Sequence, residues 1–259
     1  DVWLDAEDAA SLGGWESRSG ASLSVAVVAF PRTSNATDID ALAAEPGVSV
    51  LVSSDPAACR GADLLVLPGT RSTVADLSWL RERGLDSVVL ERVAAGRPVL
   101  GICGGYQMLG LEVIDDGVES QLGRYEGLGL LRTVTRFSKY EKTTEQVTRT
   151  ASAIGPILAA IGTVKGYVIH MGETERIGDE EAFCGEGAVS GDGLVIGTYL
   201  HGLFTNPSAR NALLSWMYAQ KGLEYIPMDE VARHDPYEQL AAEFERHLQL
   251  DPILALFES

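Results

Sequence analysis

Residues 98–110 read Pro98-Val99-Leu100-Gly101-Ile102-Cys103-Gly104-Gly105-Tyr106-Gln107-Met108-Leu109-Gly110. Val99 to Ile102 is a short apolar strand, and Tyr106 to Leu111 can begin a helix. Cys103 falls at the join, bracketed G-x-C-x-G by Gly101 and Gly105. This is the thiol form of the nucleophile elbow, a strained strand-to-helix turn that holds one side chain out over a sheet. The two glycines are needed because a Cβ at either place would clash in so tight a turn. The helix aims its first N–H groups and positive dipole end at the thiol, which favours thiolate. The amide of Gly104 is left to bind an oxyanion. A lone free cysteine is ordinarily a small buried hydrophobe. The double glycine bracket after a strand makes this one a candidate nucleophile.

Upstream of the elbow, Leu23 to Phe30 is a β-branched apolar run, the mark of a strand buried on both faces. Thr37 or Asp38 can cap a short helix to Ala44. Val48 to Val52 and Asp63 to Leu67 read as further strands, the latter stopped by Pro68-Gly69. Ser72 or Thr73 caps a helix to about Arg83, and Leu85 to Ala95 is another. This alternation predicts an α/β fold with a doubly wound, mostly parallel sheet and helices on both faces. Ligands in such sheets bind at the carboxyl ends of the strands, where Pro68-Gly69-Thr70 and Cys103 both lie. From about Gly117 the texture changes. Leu130 to Phe137, Lys142 to Ala151, Thr163 to Ile169 and Gly193 to Tyr199 predict an antiparallel extension in the second half. Asn206 to Lys221 is helical, capped by Asn206, with Pro207 in the first turn and Gly222 at the end. Asp235 to Leu256 is mostly amphipathic helix, broken near Asp251-Pro252.

Of 259 residues, 46% are hydrophobic and 22% charged, enough for a sizeable core. The net charge of −17 argues against nucleic acid or an anionic membrane surface as partner. No apolar stretch reaches the roughly 18 residues of a membrane helix, and no signal peptide opens the chain. Cys59, Cys103 and Cys184 are widely spaced, with no CxxC pair to suggest zinc and no disulfide framework, so no metal site is expected. A reducing cytoplasm is the simplest setting. Residues 1–20 are polar and glycine-rich and read as a linker. We expect a piece of a longer protein, or a chain whose partner lies elsewhere.

A thiolate nucleophile needs a base. His201 ends the apolar run Leu194 to Leu200 and precedes Gly202 and a helix, a strand end on the elbow's edge of the sheet. It is the candidate base. His170 ends Lys165 to Ile169 in a similar way and suits substrate binding better. His234 and His247 fall in a charged tail and read as surface residues. Gln107 lies one helical turn beyond Cys103 on the same face, where its amide could reach a bound substrate.

With these residues in place a family becomes visible. GICGGYQMLG at 101–110 and GTYLHGLF at 197–204 together resemble the class I glutamine amidotransferase domain. The finer likeness is to the cobyric acid synthase family. It is carried by LVLPGTRSTVADLSWLRERGLD at 65–86, EGLGLL at 126–131, EKTT at 141–144, GYVIHMGET at 166–174 and the opening VWLDAEDA. The likeness runs from about Asp1 to about Gln220, and places an amidotransferase domain over 21–259. It implies that Cys103 attacks the side-chain amide of L-glutamine while His201 moves the proton. Backbone N–H groups at Gly104 and near Gly69 or Thr70 would hold the oxyanion, and Gln107 would contact the glutamine. No cofactor is implied in this chain. Ammonia would pass to a synthetase domain or subunit that uses ATP and Mg²⁺ and holds the corrinoid substrate. No G-x-x-x-x-G-K-[ST] occurs here, so that half must lie elsewhere.

Two positions depart from the pattern. Amidotransferase triads usually carry a glutamate two residues after the histidine, and here that residue is Leu203. No third member is visible, which the cobyric acid synthase branch shares. Glu173 or Glu175 could substitute. An unanchored imidazole would make a weak glutaminase. Val168 stands where the GYEIH pattern has glutamate. Other readings keep Cys103 in view: the glutaminase of cobyrinic acid a,c-diamide synthase or of lipid II amidation, a cysteine hydrolase of the α/β-hydrolase type, or a degenerate docking domain.

Overall fold

The computed structural model describes residues 20–119, 121–227 and 246. The fold described below lies within one compact unit, Ala6–Tyr225. The expected linker over 1–20 (save Gly20), the tail helix at Asp235–Leu256 (save Arg246), His234 and His247 lie outside the described residues.

The first half alternates strands and helices. In chain order these are β1 (Leu23–Val28), α1 (Asp40–Ala43), β2 (Val48–Ser53), α2 (Pro56–Gly61), β3 (Leu64–Leu67), α3 (Thr73–Glu82), α4 (Leu85–Ala94), β4 (Val99–Ile102) and α5 (Gly104–Leu109). The second half adds β5 (Glu112–Asp115), β6 (Gly123–Glu126), β7 (Thr133–Phe137), β8 (Thr143–Thr150), α6 (Gly155–Leu158), β9 (Thr163–His170), β10 (Glu173–Arg176), β11 (Ala188–Val189), β12 (Val195–Thr198), β13 (Leu200–His201) and α7 (Pro207–Gln220).

A six-stranded sheet in the order β11-β12-β4-β3-β1-β2 forms the centre. β1 runs parallel to both β2 and β3, and β4 parallel to both β3 and β12. Only the short edge strand β11 is antiparallel. All four residues of β3 and of β4 are buried, as strands covered on both faces must be. Their apolar side chains join one large core with those of β1, α3, α4 and α7.

Two smaller sheets follow, ordered β10-β7-β5-β6 and β13-β9-β8. The expectation of an antiparallel second half needs two corrections. β12 belongs to the central sheet and is parallel to β4, and β5 is parallel to β7. A four-residue apolar strand carries no mark of its direction, which the partner across the ladder decides. The capping expectations also shift. Asn206 does not cap α7 with its side chain. Its amide instead bridges Lys165 N and O and the carbonyls of Gly202 and Leu203, tying β9 to the segment after His201. No helix among the described residues is long and apolar enough to cross a membrane. All three cysteines are free.

The elbow explains its glycines. Cys103 sits at φ +52°, ψ −110°, a conformation that an L side chain rarely adopts. A Cβ on Gly101 would come within 2.5 Å of Leu109 Cδ1 and 2.8 Å of the Gly105 carbonyl. On Gly105 it would stand 1.9 Å from the Leu67 carbonyl oxygen. That contact is with the backbone of a buried strand, so the turn itself would have to move. Gly105→Ala is therefore expected to destabilise the fold by about 1–3 kcal/mol, the usual cost of overpacking. Gly61→Ala, with open space around its Cβ position, is the control. Urea midpoints of the two variants check this: a large drop for the first and little change for the second.

Candidate active site

Four neighbouring strands of the central sheet deliver the site from their carboxyl ends. β12 leads through Tyr199 to His201, β4 to Cys103, β3 to Pro68-Gly69-Thr70, and β1 to the 3-10 turn Ala36–Ile39 that carries Asp38. The carboxyl edge of a parallel sheet is where such folds assemble ligand sites, because each crossover loop opens there.

Cys103 is held by backbone bonds on both sides of its strained residue. Its N–H donates to Thr198 O at 2.9 Å, and its carbonyl accepts from Gln107 N at 3.1 Å. The Cys103 thiol is half-buried and points at the Ile169 carbonyl, 3.5 Å away. Gly104 opens α5, so its N–H is one of the first-turn amides without a partner inside the helix. The Cβ position of Gly104 faces Thr70 N at 3.2 Å, which puts the two candidate oxyanion amides side by side. Thr70 bridges to Thr33 through Ser34 N→Gly69 O and Arg71 N→Arg32 O, which leaves its own amide outside that ladder. Its hydroxyl donates to the buried carboxylate of Asp76, which also accepts from Arg32 at 3.0 Å. Gly69 approaches Ser34 O so closely that a Cβ would lie 2.8 Å from it.

His201 is fully buried, and its ring stacks on Tyr167 at 5.2 Å. Nδ1 lies 2.7 Å from Oδ2 of Asp38, and Oδ1 of the same carboxylate accepts from Gly202 N at 2.7 Å. The sequence reading left His201 without an acid. Asp38, 163 residues earlier, supplies one. It was read only as a helix cap, yet α1 has no side-chain cap and the carboxylate turns to His201 instead. Glu173 and Glu175 sit on β10 opposite Arg136 and Val134, and neither is a partner of the imidazole. Burial by itself pushes the His201 pKa down. The charge and hydrogen bond of Asp38, helped by Cys103, reverse this and raise it to about 10. Nε2 is buried and makes no hydrogen bond of ordinary geometry among the described residues, although Cys103 is near enough to help hold the imidazole's proton.

Gln107 is already engaged by the protein. It is 2% exposed, and its Oε1 accepts from Thr73 Oγ1 at 2.7 Å. Its Nε2 donates to Met171 O at 2.9 Å and to Tyr199 Oη at 3.0 Å, so both amide hydrogens are used. His170 stacks on Tyr199 at 3.8 Å and donates from Nδ1 to Gly172 O at 3.1 Å. Burial holds its pKa below the usual histidine value; the Gly172 and Met171 carbonyls offset this in part, and the charge of His201 adds to it. This favours the neutral ring. Gln107, Tyr199 and His170 thus form a packed wall behind Cys103. Val168 is buried between Leu200 of β13 and β8.

A half-buried thiol and a buried imidazole thus meet at the carboxyl edge of the sheet, next to the Gly104 and Thr70 backbone. The CobB/CobQ-like glutamine amidotransferase domain model matches residues 24–209. The chain belongs to this family. A probable cobyric acid synthase of Methanoregula boonei is 48% identical over 255 residues, covering 98% of this chain and 52% of that protein. A cobyric acid synthase of Salmonella typhimurium is 41% identical over 280 residues, covering all of this chain and 54% of the relative. This chain thus spans about half the length of the relatives it matches. The fold is shared with PurLQS of Thermotoga maritima, at a TM-score of 0.53 and 17% identity over 75% of this chain and 99% of that one.

The raised pKa of His201 makes a pH-dependent contribution to stability. In the unfolded chain the imidazole titrates near ~6.5, and in the folded chain near 10. The contribution is full below the first value, declines by up to about 1.4 kcal/mol per pH unit between the two, and is gone above the second. Urea unfolding of the native protein and of His201→Gln from pH 6 to 10.5 checks this. The difference in stability between them should shrink as pH rises through that window.

Proposed function

We propose that this chain is the glutamine-hydrolysing part of a cobyric acid synthase, and that Cys103 and His201 carry the reaction. The observation that bears most weight is the pairing of a strained, half-buried Cys103 with a buried His201 whose Nε2 has no other partner. In this reading the Cys103 proton rests on Nε2, so that an imidazolium stabilised by Asp38 stands beside a thiolate, and the sulfur attacks the side-chain carboxamide carbon of glutamine. The carbonyl electrons move onto oxygen, where the amides of Gly104 and Thr70 hold the negative charge. The tetrahedral adduct collapses, His201 returns its proton to the departing nitrogen, and ammonia leaves. A water then attacks the thioester with His201 again as base, releasing glutamate and restoring the thiol. Gln107 acts as a brace for the wall behind the nucleophile, and His170 lines the site as a neutral ring.

The missing half of the relatives' length is where the reading places the synthetase portion, with the corrinoid acceptor, ATP and Mg²⁺. The described residues contain no cluster of His, Cys, Asp and Glu able to hold a metal, and the chain has no P-loop.

Treatment with 6-diazo-5-oxo-L-norleucine should add one covalent label at Cys103, and glutamine should block it. In the full-length enzyme Cys103→Ser should abolish glutamine-dependent amidation yet spare amidation driven by free ammonia. Equal loss of both would sink this division of labour. Labelling elsewhere, or none, would count against Cys103 as nucleophile.

A further inference from the structure

We infer that Asp38 is the positioning acid of the site, so that the working set is Cys103, His201 and Asp38 rather than a cysteine–histidine pair. This rests on the reading of Cys103 and His201 above and supplies the member that the residue after next from His201, Leu203, cannot be.

The geometry is a two-point clamp. One carboxylate oxygen meets the His201 ring at Nδ1, and the other meets the backbone N–H of the next residue, each at 2.7 Å. The two contacts fix the rotation of the ring and the path of the chain that bears it. The carboxylate is 4% exposed and the histidine 0%, so water does not compete for either bond. A carboxylate only accepts, so Nδ1 must carry a proton. Whenever the ring is neutral, its lone pair then resides on Nε2, which has no hydrogen-bond partner of ordinary geometry among the described residues and is near enough to Cys103 to interact with it. That is the tautomer which can take a thiol proton. Once the ring is doubly protonated, the same carboxylate balances the imidazolium in a site closed to solvent.

Two donors aimed at one side chain also explain why the residue is an acid and not an amide. An asparagine here has a single acceptor oxygen. It can satisfy Gly202 N–H or the Nδ1 proton, and must turn an N–H₂ toward the other. If Gly202 keeps its bond, the amide N–H₂ faces the ring and stabilises the opposite tautomer, with the proton on Nε2. The fold supports the clamp from behind. Beyond Gly202, the buried Arg210 donates to Phe204 O at 2.7 Å and pairs with Glu45 at 2.7 Å. The segment that carries His201 is thereby held while Asp38 sets the ring.

The test compares the native full-length protein with Asp38→Asn and Asp38→Glu. For Asp38→Asn, kcat for glutamine hydrolysis should fall by about 10²–10⁴-fold, the range for a lost orienting acid. KM for glutamine should change little, and a cooperative melting transition should persist. Asp38→Glu should recover part of kcat. A folded Asp38→Asn variant with native kcat and native pH profile would overturn the inference. Nitrogen-15 NMR of His201 in the native protein decides independently of whether the variant folds. Nδ1 should stay protonated through the titration while Nε2 gives up its proton; the reverse order would overturn the inference. Failure of the native protein to hydrolyse glutamine would instead strike the functional reading, and the NMR result would still judge the clamp.

Discussion

Everything at this site depends on Cys103 keeping a backbone conformation that its own Cβ disfavours. A non-glycine residue at φ +52° costs on the order of 1–3 kcal/mol and persists only where its surroundings leave no alternative. Here the surroundings are specific. Cys103 N is bound to β12, Gly105 N to Pro68 O at the end of β3, and Cys103 O to α5. The turn is thus tied to the strand on either side of its own and to the helix that follows. Because Gly101 and Gly105 lack a Cβ, α5 can lie directly against β3 and β4, and Gly104 then packs so closely on Thr70 that a Cβ there would stand 3.2 Å from Thr70 N. The strain, the missing side chains and the close packing of Gly104 on Thr70 are one constraint seen from three sides.

The rest of the site extends that constraint with buried polar groups that are satisfied by one another. Thr70 is fixed by Asp76, which Arg32 neutralises. Gln107 is fixed by Thr73, Met171 and Tyr199. His201 is fixed by Asp38. A buried polar network that is fully paired is rigid, because releasing any member strands another without water. The exception is informative: among these side chains the buried atom left without a hydrogen bond of ordinary geometry is Nε2 of His201, the ring nitrogen that the proposed chemistry uses.

The sequence made the local parts of this legible. The G-x-C-x-G bracket reports a packing demand between residues two apart, and His201 closes an apolar run that had to be a strand. Both can be read without knowing the fold. Asp38 could not be found in this way. It stands 163 residues from its partner, in a stretch where an aspartate looks like any helix cap. Gln107 was placed on the correct face by helical spacing, but spacing does not say that Thr73, Met171 and Tyr199 already occupy its amide. β12 was found and its direction missed, since parallel pairing with β4 is a property of the partner. α2 was not foreseen at all; six residues opened by Pro56 give too little periodicity to read.

Leu203 shows why the acid need not occupy a fixed place in the chain. An imidazole is oriented by an oxygen near Nδ1, and the chain can deliver that oxygen from any loop that reaches the same edge of the sheet. In this protein the residue two after His201 is Leu203, which is 3% exposed and begins a short 3-10 turn packed into the core. The turn after β1 reaches the site across β3, the strand between it and β4, and meets the ring and the adjacent backbone amide together. Position 203 thus serves packing, while the carboxylate beside the ring comes from the loop two strands from Cys103. The role belongs to a point in space at the carboxyl edge, and the parallel sheet offers several chain segments that can occupy it.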